Sequence, residues 1–475
     1  MYRKSGVLMH VSSLFGDYSS GSFGKEAKYF IDFLSDSGFS YWQVLPFCMV
    51  DEYNSPYKSY SSFSGNLYFV DLEALHSEGL ITDDELVSAR QRTPYLCEFE
   101  RLRKERFSLL KKASERVLDR GEVEKFIASS PYLQTFCEYM ARRAANCGVP
   151  WQNWQVNSVD DGILFAWKFI QYTFVRQWLK IKAYANKKGV RLIGDVPIYV
   201  SLDSADVFSA KEQFQLDKNG MPTHVAGVSP DYFSSEGQLW GNPLYNWKEM
   251  KKDGYRFWRD RIKYMSTMFD AIRIDHFRAF ASYWSIPREA KTAAEGKWIK
   301  GPGLPFVKAL REAAGETEII AEDLGNITPD VCKLVLDSGF AGMKVFQFGF
   351  ISEDNSSHLP HNYPENCVAY TGTHDNNTLL GYLWELEDTA RARMLTYCGH
   401  NGDWKRGLDS MIRTLFASHA KLVMLPIQDI LGYGCDTRLN TPGKAEGNWA
   451  YRITKSQLDS IDRSKWRALN KLYYR

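Results

Sequence analysis

Several features that mark known protein classes are scarce in this chain of 475 residues. Its eight cysteines are scattered, with no CxxC pair and no spacing typical of a disulfide or zinc framework, so a reducing, cytoplasmic compartment is expected. No apolar run approaches the roughly 18 residues that a membrane helix needs, and the first residues do not resemble a signal peptide. The 59 Lys plus Arg nearly balance the 57 Asp plus Glu, which argues against a dedicated nucleic-acid binder. We expect neither a membrane nor a nucleic-acid partner.

The hydrophobic pattern of the chain alternates between two kinds of segment. Short apolar, β-branched or aromatic runs are separated by amphipathic helical stretches, which is the alternation of an α/β protein. The eight runs are Gly6 to Ser12, Tyr41 to Phe47, Arg191 to Val200, Ala271 to Phe280, Glu318 to Gly325, Gly342 to Phe350, Cys367 to Asp375 and Leu422 to Leu431. Eight such strands predict a closed (β/α)8 TIM barrel that forms a single catalytic domain over residues 1–475.

Three connections depart from the simplest barrel. Residues 48–190 are mostly helical by pattern and predict a helical insertion subdomain on the active-site face. Residues 201–246 are rich in Gly, Ser, Pro and aromatics, and they predict an insertion that crosses the barrel mouth and carries a lid loop. Residues 351–366 are poor in helical periodicity, so the eight-strand count is weakest there.

Acidic residues follow four of the apolar runs. They are Asp195, Asp275, the pair Glu322 and Asp323, and Asp375. Acids at the carboxyl ends of barrel strands point into the cup where chemistry takes place. For any single acid, a helix N-cap or a loop ion pair is about as good an explanation as catalysis. Because they occur on four strands, the catalytic interpretation is favoured.

The alternation of side chains along a strand adds detail at two of these positions. Arg273 and Asp275 lie two residues apart and share one face, so Arg273 is expected to keep Asp275 ionised and to lower its pKa. For Glu322 and Asp323, the same argument does not decide which side chain faces the barrel axis. Converging carboxylates without a phosphate loop or a Ser or Cys nucleophile motif favour chemistry at an acetal. A retaining mechanism needs two of them roughly 5–5.5 Å apart.

Two alternatives remain open on the residues alone. One is a metal-dependent barrel hydrolase, because Asp275-His276 and His374-Asp375 place His beside a carboxylate. Adjacent strand residues point to opposite faces, however, so each pair offers one ligand, and no HxH or HExxH motif occurs. We therefore expect neither a metal nor a cofactor, and His10 is read as a hydrogen-bonded barrel residue. The other alternative is a glycan-binding protein without activity.

The motifs at the strand ends resemble those of the amylomaltase, or 4-α-glucanotransferase, family of disproportionating enzymes, relatives of the α-amylases. The resemblance covers nearly the whole chain. It rests on GVLMHVSSL at 6–14, SPY at 55–57, GDVPIYV at 194–200, PDYF at 230–233, WGNPLY at 240–245, RIDHFR at 273–278, AEDLG at 321–325, TGTHD at 371–375 and GNW at 447–449. One such motif would be weak evidence, but this many in order is specific.

The resemblance implies a role for each acid. Asp275 would be the nucleophile that forms a glucosyl-enzyme intermediate, Glu322 the general acid and then base, and Asp375 the group that holds the donor sugar's hydroxyls. The donor-side glucose site would be lined by Arg273, Asp195, Tyr57, His276 and His374. Acceptor-side groups would be Asp323, Ser55, Asp231, Tyr232, Phe233, Gln238 and Trp240. Residues 226–241 would form the lid.

The implied reaction is the exchange of α-1,4-glucan segments between maltooligosaccharides, with glucose released and little net hydrolysis. Donors and acceptors would be maltooligosaccharides and other α-1,4-glucans, handled by a monomer or homodimer.

Overall fold

Eight parallel strands form a closed barrel at the centre of the molecule. The structure, a computed structural model, describes residues 3–230 and 236–475. Its strands are β1 Lys4–Leu8, β2 Tyr41–Gln43, β3 Arg191–Val196, β4 His224–Val228, β5 Gln238–Pro243, β6 Ala271–Ile274, β7 Ser282–Pro287, β8 Lys297–Lys300, β9 Glu318–Ala321, β10 Ala341–Val345, β11 Cys367–Tyr370 and β12 Leu422–Pro426. The barrel order is β1-β12-β11-β10-β9-β6-β3-β2. The predicted (β/α)8 TIM barrel is confirmed.

Helices surround the barrel and fill its long connections. They are α1 Lys25–Asp36, α2 Leu72–Ser77, α3 Asp83–Ser88, α4 Phe99–Glu115, α5 Gly121–Ala128, α6 Pro131–Ala145, α7 Asp161–Lys187, α8 Ala205–Ser209, α9 Trp247–Lys252, α10 Arg256–Met268, α11 Leu304–Ala314, α12 Pro329–Ser338, α13 Leu379–Glu385, α14 Asp388–Tyr397, α15 Gly407–Ala417, α16 Ile427–Leu431, α17 Lys455–Asp459 and α18 Arg463–Leu472. Among the described residues, no helix is both long and apolar enough to cross a bilayer.

The crossover between β10 and β11 differs from the others. Residues 346–366 are all described, and they contain the short 3-10 helices Phe346–Phe350 and Pro360–Asn362 without an α-helix. The two strands still pair in parallel, with Gly342 opposite Cys367. The barrel therefore closes although its weakest predicted crossover lacks a covering helix.

The two faces of the barrel strands pack into separate clusters. The interior cluster includes Ile193, Ala271 and Ile320, whereas Ile272 and Ile274 belong to the core between strands and helices. This confirms the predicted alternation on β6. Because residues two apart share a face, Glu322 follows the interior parity of Ile320 and faces the barrel axis. Polar residues therefore replace the apolar interior at the carboxyl ends of these strands.

A second, antiparallel sheet was not predicted. It has the order β5-β4-β7-β8, and it is built from residues 224–243 and 282–300. Residues 48–190 contribute α2 to α7, and residues 201–246 contribute α8, β4 and β5. The division into subdomains and the lid at 226–241 stay predictions. Asp231, Tyr232 and Phe233 lie outside the described residues.

Candidate active site

The neighbouring strands β3, β6 and β9 bring Asp195, Asp275 and Glu322 together at their carboxyl ends. In the β3–β6 ladder Asp195 is opposite Arg273, and in the β6–β9 ladder Ile274 is opposite Ala321. The next residues are Asp275, whose N–H donates to the Val196 carbonyl at 3.0 Å, and Glu322, whose N–H donates to the Ile274 carbonyl at 3.1 Å. The backbones of the two acids are thus fixed on adjacent strand ends.

Arg273 connects two carboxylates. Its Nη1 donates to both oxygens of Asp195 at 2.8 Å, and its Nη2 lies 2.9 Å from Oδ1 of Asp275. The hydroxyl of Tyr57 donates to Oδ2 of Asp195 at 2.8 Å. The side chain of Asp195 is fully buried, whereas that of Asp275 is 25% exposed. The buried Arg273 and Asp195 therefore hold Asp275 in place, while the Asp275 carboxylate remains accessible from the cleft.

The Glu322 carboxylate is held by backbone groups. Its Oε2 accepts the His276 N–H at 2.6 Å, and its Oε1 accepts the Leu324 N–H at 2.8 Å. The Glu322 carbonyl accepts the Phe277 N–H at 3.0 Å. His276 adopts the left-handed conformation, with φ of 47°, which costs energy in a non-glycine residue. This turn directs the His276 N–H to the carboxylate that follows the next strand.

The cleft shifts the pKa of both acids upwards. Burial raises the pKa of Asp275 to about 8, against the opposing effect of Arg273, and the neighbouring acids Asp195, Glu322 and Asp375 add to the rise. Burial also raises the pKa of Glu322, which Arg273 and the two backbone N–H groups oppose. The prediction that Asp275 has a lowered pKa is therefore wrong, because burial outweighs the guanidinium. The two carboxyl groups titrate as a pair that keeps a proton more readily than free carboxylates.

Asp375 is on the loop after β11. Its Oδ2 lies 3.3 Å from Nε2 of His374, and its Oδ1 accepts from Nδ2 of Asn440 at 2.6 Å. Arg438 donates to its backbone carbonyl at 2.6 Å. The Asp375 side chain is 44% exposed. The carboxylate is therefore oriented by His374 and Asn440, and it is open to a ligand.

A row of aromatic rings lies between Asp195, which is linked to Asp275 through Arg273, and Asp375. The ring of Tyr57 stacks on that of His374 with centroids 5.2 Å apart and planes at 15°, and the Trp449 ring lies 5.9 Å from each. Burial lowers the pKa of His374, so its imidazole is neutral at neutral pH. Because Tyr57 also bonds to Asp195, one aromatic wall spans from the Asp275 side of the site to the Asp375 side.

The predicted acceptor-side residues occupy different positions. The Trp240 ring lies 5.0 Å from that of His276, and its Nε1 donates to Oε1 of Gln238 at 3.0 Å. Oγ of Ser55 accepts the Tyr57 N–H at 3.3 Å. In contrast, Oδ1 of Asp323 accepts the Met343 N–H at 2.6 Å and ties β9 to β10. The other three predicted residues, Asp231, Tyr232 and Phe233, lie outside the described residues.

Comparison with known proteins places this site in a family. A sequence model described as 4-alpha-glucanotransferase matches residues 9–458. The chain belongs to the 4-alpha-glucanotransferase family. It is 41% identical to the 4-alpha-glucanotransferase of Streptococcus pneumoniae, over 96% of this chain and 94% of that protein. It is 38% identical to that of Thermus thermophilus, over 98% of both.

A solved structure agrees with these sequence comparisons. The amylomaltase from Streptococcus agalactiae in complex with acarbose superposes with a TM-score of 0.95 at 35% identity, covering 100% of this chain and 99% of that one. This 4-alpha-glucanotransferase fold therefore extends over the whole described chain. The enzyme class and the activity on glucans follow from these matches.

Three residues of this 4-alpha-glucanotransferase site had no role in the sequence prediction. Asn440 and Arg438 contact Asp375, and Trp449 contacts Tyr57 and His374. The GNW motif could have indicated Trp449. Asn440 is 65 residues from Asp375 in the chain, and neither periodicity nor a motif predicts that contact.

Residues 3–230 and 236–475 contain no group of three or more His, Cys, Asp and Glu side chains that could hold a metal ion. His10 accepts the Leu45 N–H at its Nδ1, at 3.2 Å, as a hydrogen-bonded barrel residue would.

Proposed function

We propose that this chain transfers α-1,4-glucan segments between maltooligosaccharides by a retaining double displacement. The observation that carries the proposal is the unequal surroundings of two acids on adjacent strands. Asp275 forms an ion pair with Arg273, whereas Glu322 accepts only backbone N–H groups in the described structure. The cation favours the negative charge on Asp275, so the proton that the pair retains belongs on Glu322.

In the first step, an Asp275 oxygen attacks the anomeric carbon of the donor sugar. The bond from that carbon to the leaving glycosidic oxygen breaks, and the Glu322 proton moves to this oxygen. The products are a glucosyl ester on Asp275, a Glu322 carboxylate and a shortened glucan or glucose. The His276 and Leu324 N–H groups then stabilise the charge that Glu322 acquires.

In the second step, Glu322 acts as the base. It removes the proton from the 4-hydroxyl of an acceptor glucan, and the acceptor oxygen bonds to the anomeric carbon as the Asp275 ester bond breaks. Both carboxyl groups return to their starting states. The anomeric configuration is inverted twice and is therefore retained.

The donor glucose would lie between the Asp275 and Glu322 pair and Asp375. Asp375 is open to the sugar's hydroxyls and oriented by Asn440, and contacts that strengthen as the oxocarbenium ion forms lower the barrier. The neutral His374 and the stacked Tyr57 line the same wall. Arg273, Asp195 and His276 complete the predicted donor side.

An acceptor sugar would bind beside Trp240, whose ring lies next to His276. A bound glucan there raises the local concentration of its hydroxyls, and a lid over residues 226–241 would exclude water. Both effects favour transfer over hydrolysis. Ser55, Gln238 and the lid residues Asp231, Tyr232 and Phe233 are proposed to contribute, as is Asp323.

The cellular setting remains part of the proposal. All eight cysteines are unpaired, which suits the reducing cytoplasm. We retain a monomer or homodimer as the expected assembly, with no metal or cofactor requirement.

The test is incubation with maltotriose alone, with and without a chelator. We expect glucose and a ladder of products longer than maltotriose, unchanged by the chelator. Glu322→Gln protein purified in parallel controls for contaminating enzymes. Products that are all shorter than maltotriose would contradict transfer, and loss of activity with the chelator would favour the metal-hydrolase alternative.

A further inference from the structure

A buried carboxylate lies beneath the loop that carries His374 and Asp375. Asp429 is in α16, directly after barrel strand β12, and is 3% exposed. The loop runs from Thr371, after the adjacent strand β11, to Leu379 at the start of α13. Asp429 is outside the donor and acceptor sets proposed above.

Asp429 binds both ends of this loop. Its Oδ2 accepts from Oγ1 of Thr371 at 2.5 Å, and its Oδ1 accepts the Leu379 N–H at 2.7 Å. Thr371 is fully buried. Asp375 lies midway between these two contacts in sequence. A carboxylate that accepts one bond at each end fixes the span of the loop from below.

Other contacts act on the middle of the loop, among them the bond from Arg438 to the Asp375 carbonyl at 2.6 Å. Nε2 of Gln347 donates to the Asn377 carbonyl at 2.8 Å, and Oδ1 of Asn376 accepts from the Thr373 N–H at 2.8 Å. These bonds shape the middle of the loop. Asn440 reaches the Asp375 side chain from outside.

The charge on Asp429 matters for the clamp. Burial raises its pKa to about 6, and the Leu379 N–H and the Thr371 hydroxyl oppose the rise. At neutral pH it is therefore mostly ionised, with both oxygens available as acceptors. An Asn side chain has one acceptor oxygen, so it cannot serve both partners in the same way.

We propose that Asp429 is a positioning residue for glucan transfer. By binding Thr371 and Leu379, it fixes the position of Asp375 in the cleft. The inference rests on the proposed function. A misplacement of about 1 Å at a reacting group can cost roughly 10²-fold in rate. The clamp therefore acts on kcat through Asp375 rather than by touching the glucan.

The test compares Asp429→Asn with Thr371→Val and with a control at the opposite end of the barrel. Asp270 also accepts a backbone N–H, from Leu192 at 2.8 Å, and a side-chain amide, from Asn186 at 2.9 Å. Asp270→Asn makes the same substitution far from the cleft, at a carboxylate that binds both partners through one oxygen, Oδ2. For each variant, kcat and KM of maltotriose disproportionation and the midpoint of thermal unfolding are measured.

We expect Asp429→Asn to lower kcat by roughly 10- to 100-fold with little change in KM, and Thr371→Val to lower kcat by less. In the double variant the two losses are not additive, because one interaction is removed twice. Asp270→Asn keeps its kcat even where its unfolding midpoint falls.

Unchanged kcat in Asp429→Asn contradicts the inference, as does an equal loss in Asp270→Asn. If Asp429→Asn does not fold, Thr371→Val alone tests the inference, and an unchanged kcat in Thr371→Val contradicts it. Failure of the wild type to disproportionate maltotriose would instead reject the proposed function.

Discussion

Nη2 of Arg273 lies 2.9 Å from Oδ1 of Asp275, and Nη1 of the same guanidinium binds both oxygens of Asp195. The arginine is almost fully buried. It therefore fixes the carboxylate of Asp275, which faces the cleft, relative to that of Asp195, which is buried in the barrel. A planar, forked cation suits this geometry, and an ammonium group does not.

Arg273→Lys is expected to lower kcat by roughly 10²-fold, because Lys cannot hold Asp195 and Asp275 at once. Steady-state kinetics on maltotriose checks this. Arg191→Lys is the control, since Arg191 pairs with Glu318 at the starts of β3 and β9, which lie on either side of β6. An Arg273→Lys enzyme as fast as the control would contradict the role given to the guanidinium.

Glu322→Gln is expected to reduce transfer by roughly 10²–10⁴-fold, the range attributed to general acid–base catalysis. The amide preserves the shape and one acceptor but cannot deliver or take a proton. In the wild type, activity should fall on the alkaline side as the raised pKa of the pair is passed. The residual activity of Glu322→Gln should lack this alkaline fall. Near-normal activity would remove Glu322 from the mechanism.

Asp275→Asn is expected to change stability with a definite dependence on pH. Because Asp275 and Glu322 titrate as a pair with raised pKa, about 8 for Asp275, the contribution of their shared proton to stability is complete below the unfolded pKa values of about 4 and is lost as pH rises through about 8. Relative to the wild type, the variant should therefore gain free energy of unfolding as pH rises over this window. Denaturant titrations of both proteins at several pH values measure the difference. A difference that falls with pH would contradict the raised pKa.

Asn440→Ala is expected to lower kcat/KM by roughly 10- to 100-fold, since hydrogen bonds to charged groups contribute about 1.5–3 kcal/mol. The lost bond is the one from Nδ2 to Oδ1 of Asp375. Asn366→Ala removes a similar amide, which donates to the carbonyls of Gly339 and Phe340 away from the cleft. Equal kinetics for the two variants would show that Asn440 does not act on Asp375.

The barrel could be predicted because each of its strands is a short apolar run between helical segments. The predicted runs extend too far in several places. Ala271 to Phe280 contains the strand Ala271–Ile274, then a left-handed His276 and a 3-10 helix at Phe277–Phe280. Apolarity persists past the strand end because these residues pack into the same core, so composition alone cannot mark the turn.

The second sheet could not be predicted from the same signal. Its strand Lys297–Lys300 is mostly exposed, and its partners are separated in sequence. The pKa of Asp275 was predicted in the wrong direction for a related reason. A strand pattern shows that Arg273 is a neighbour, but the extent of burial depends on elements distant in the chain. The contact of Asn440 with Asp375 is equally non-local.

The central claim is that Asp275 becomes covalently bonded to the donor sugar. The most direct measurement is mass spectrometry of Glu322→Gln protein after brief reaction with an α-maltosyl fluoride, whose fluoride leaves without an acid. Slow deglycosylation should let the ester accumulate, and digestion should place one added maltosyl group on the peptide containing Asp275, with none in Asp275→Asn,Glu322→Gln protein. A maltosyl group on another residue would contradict the account.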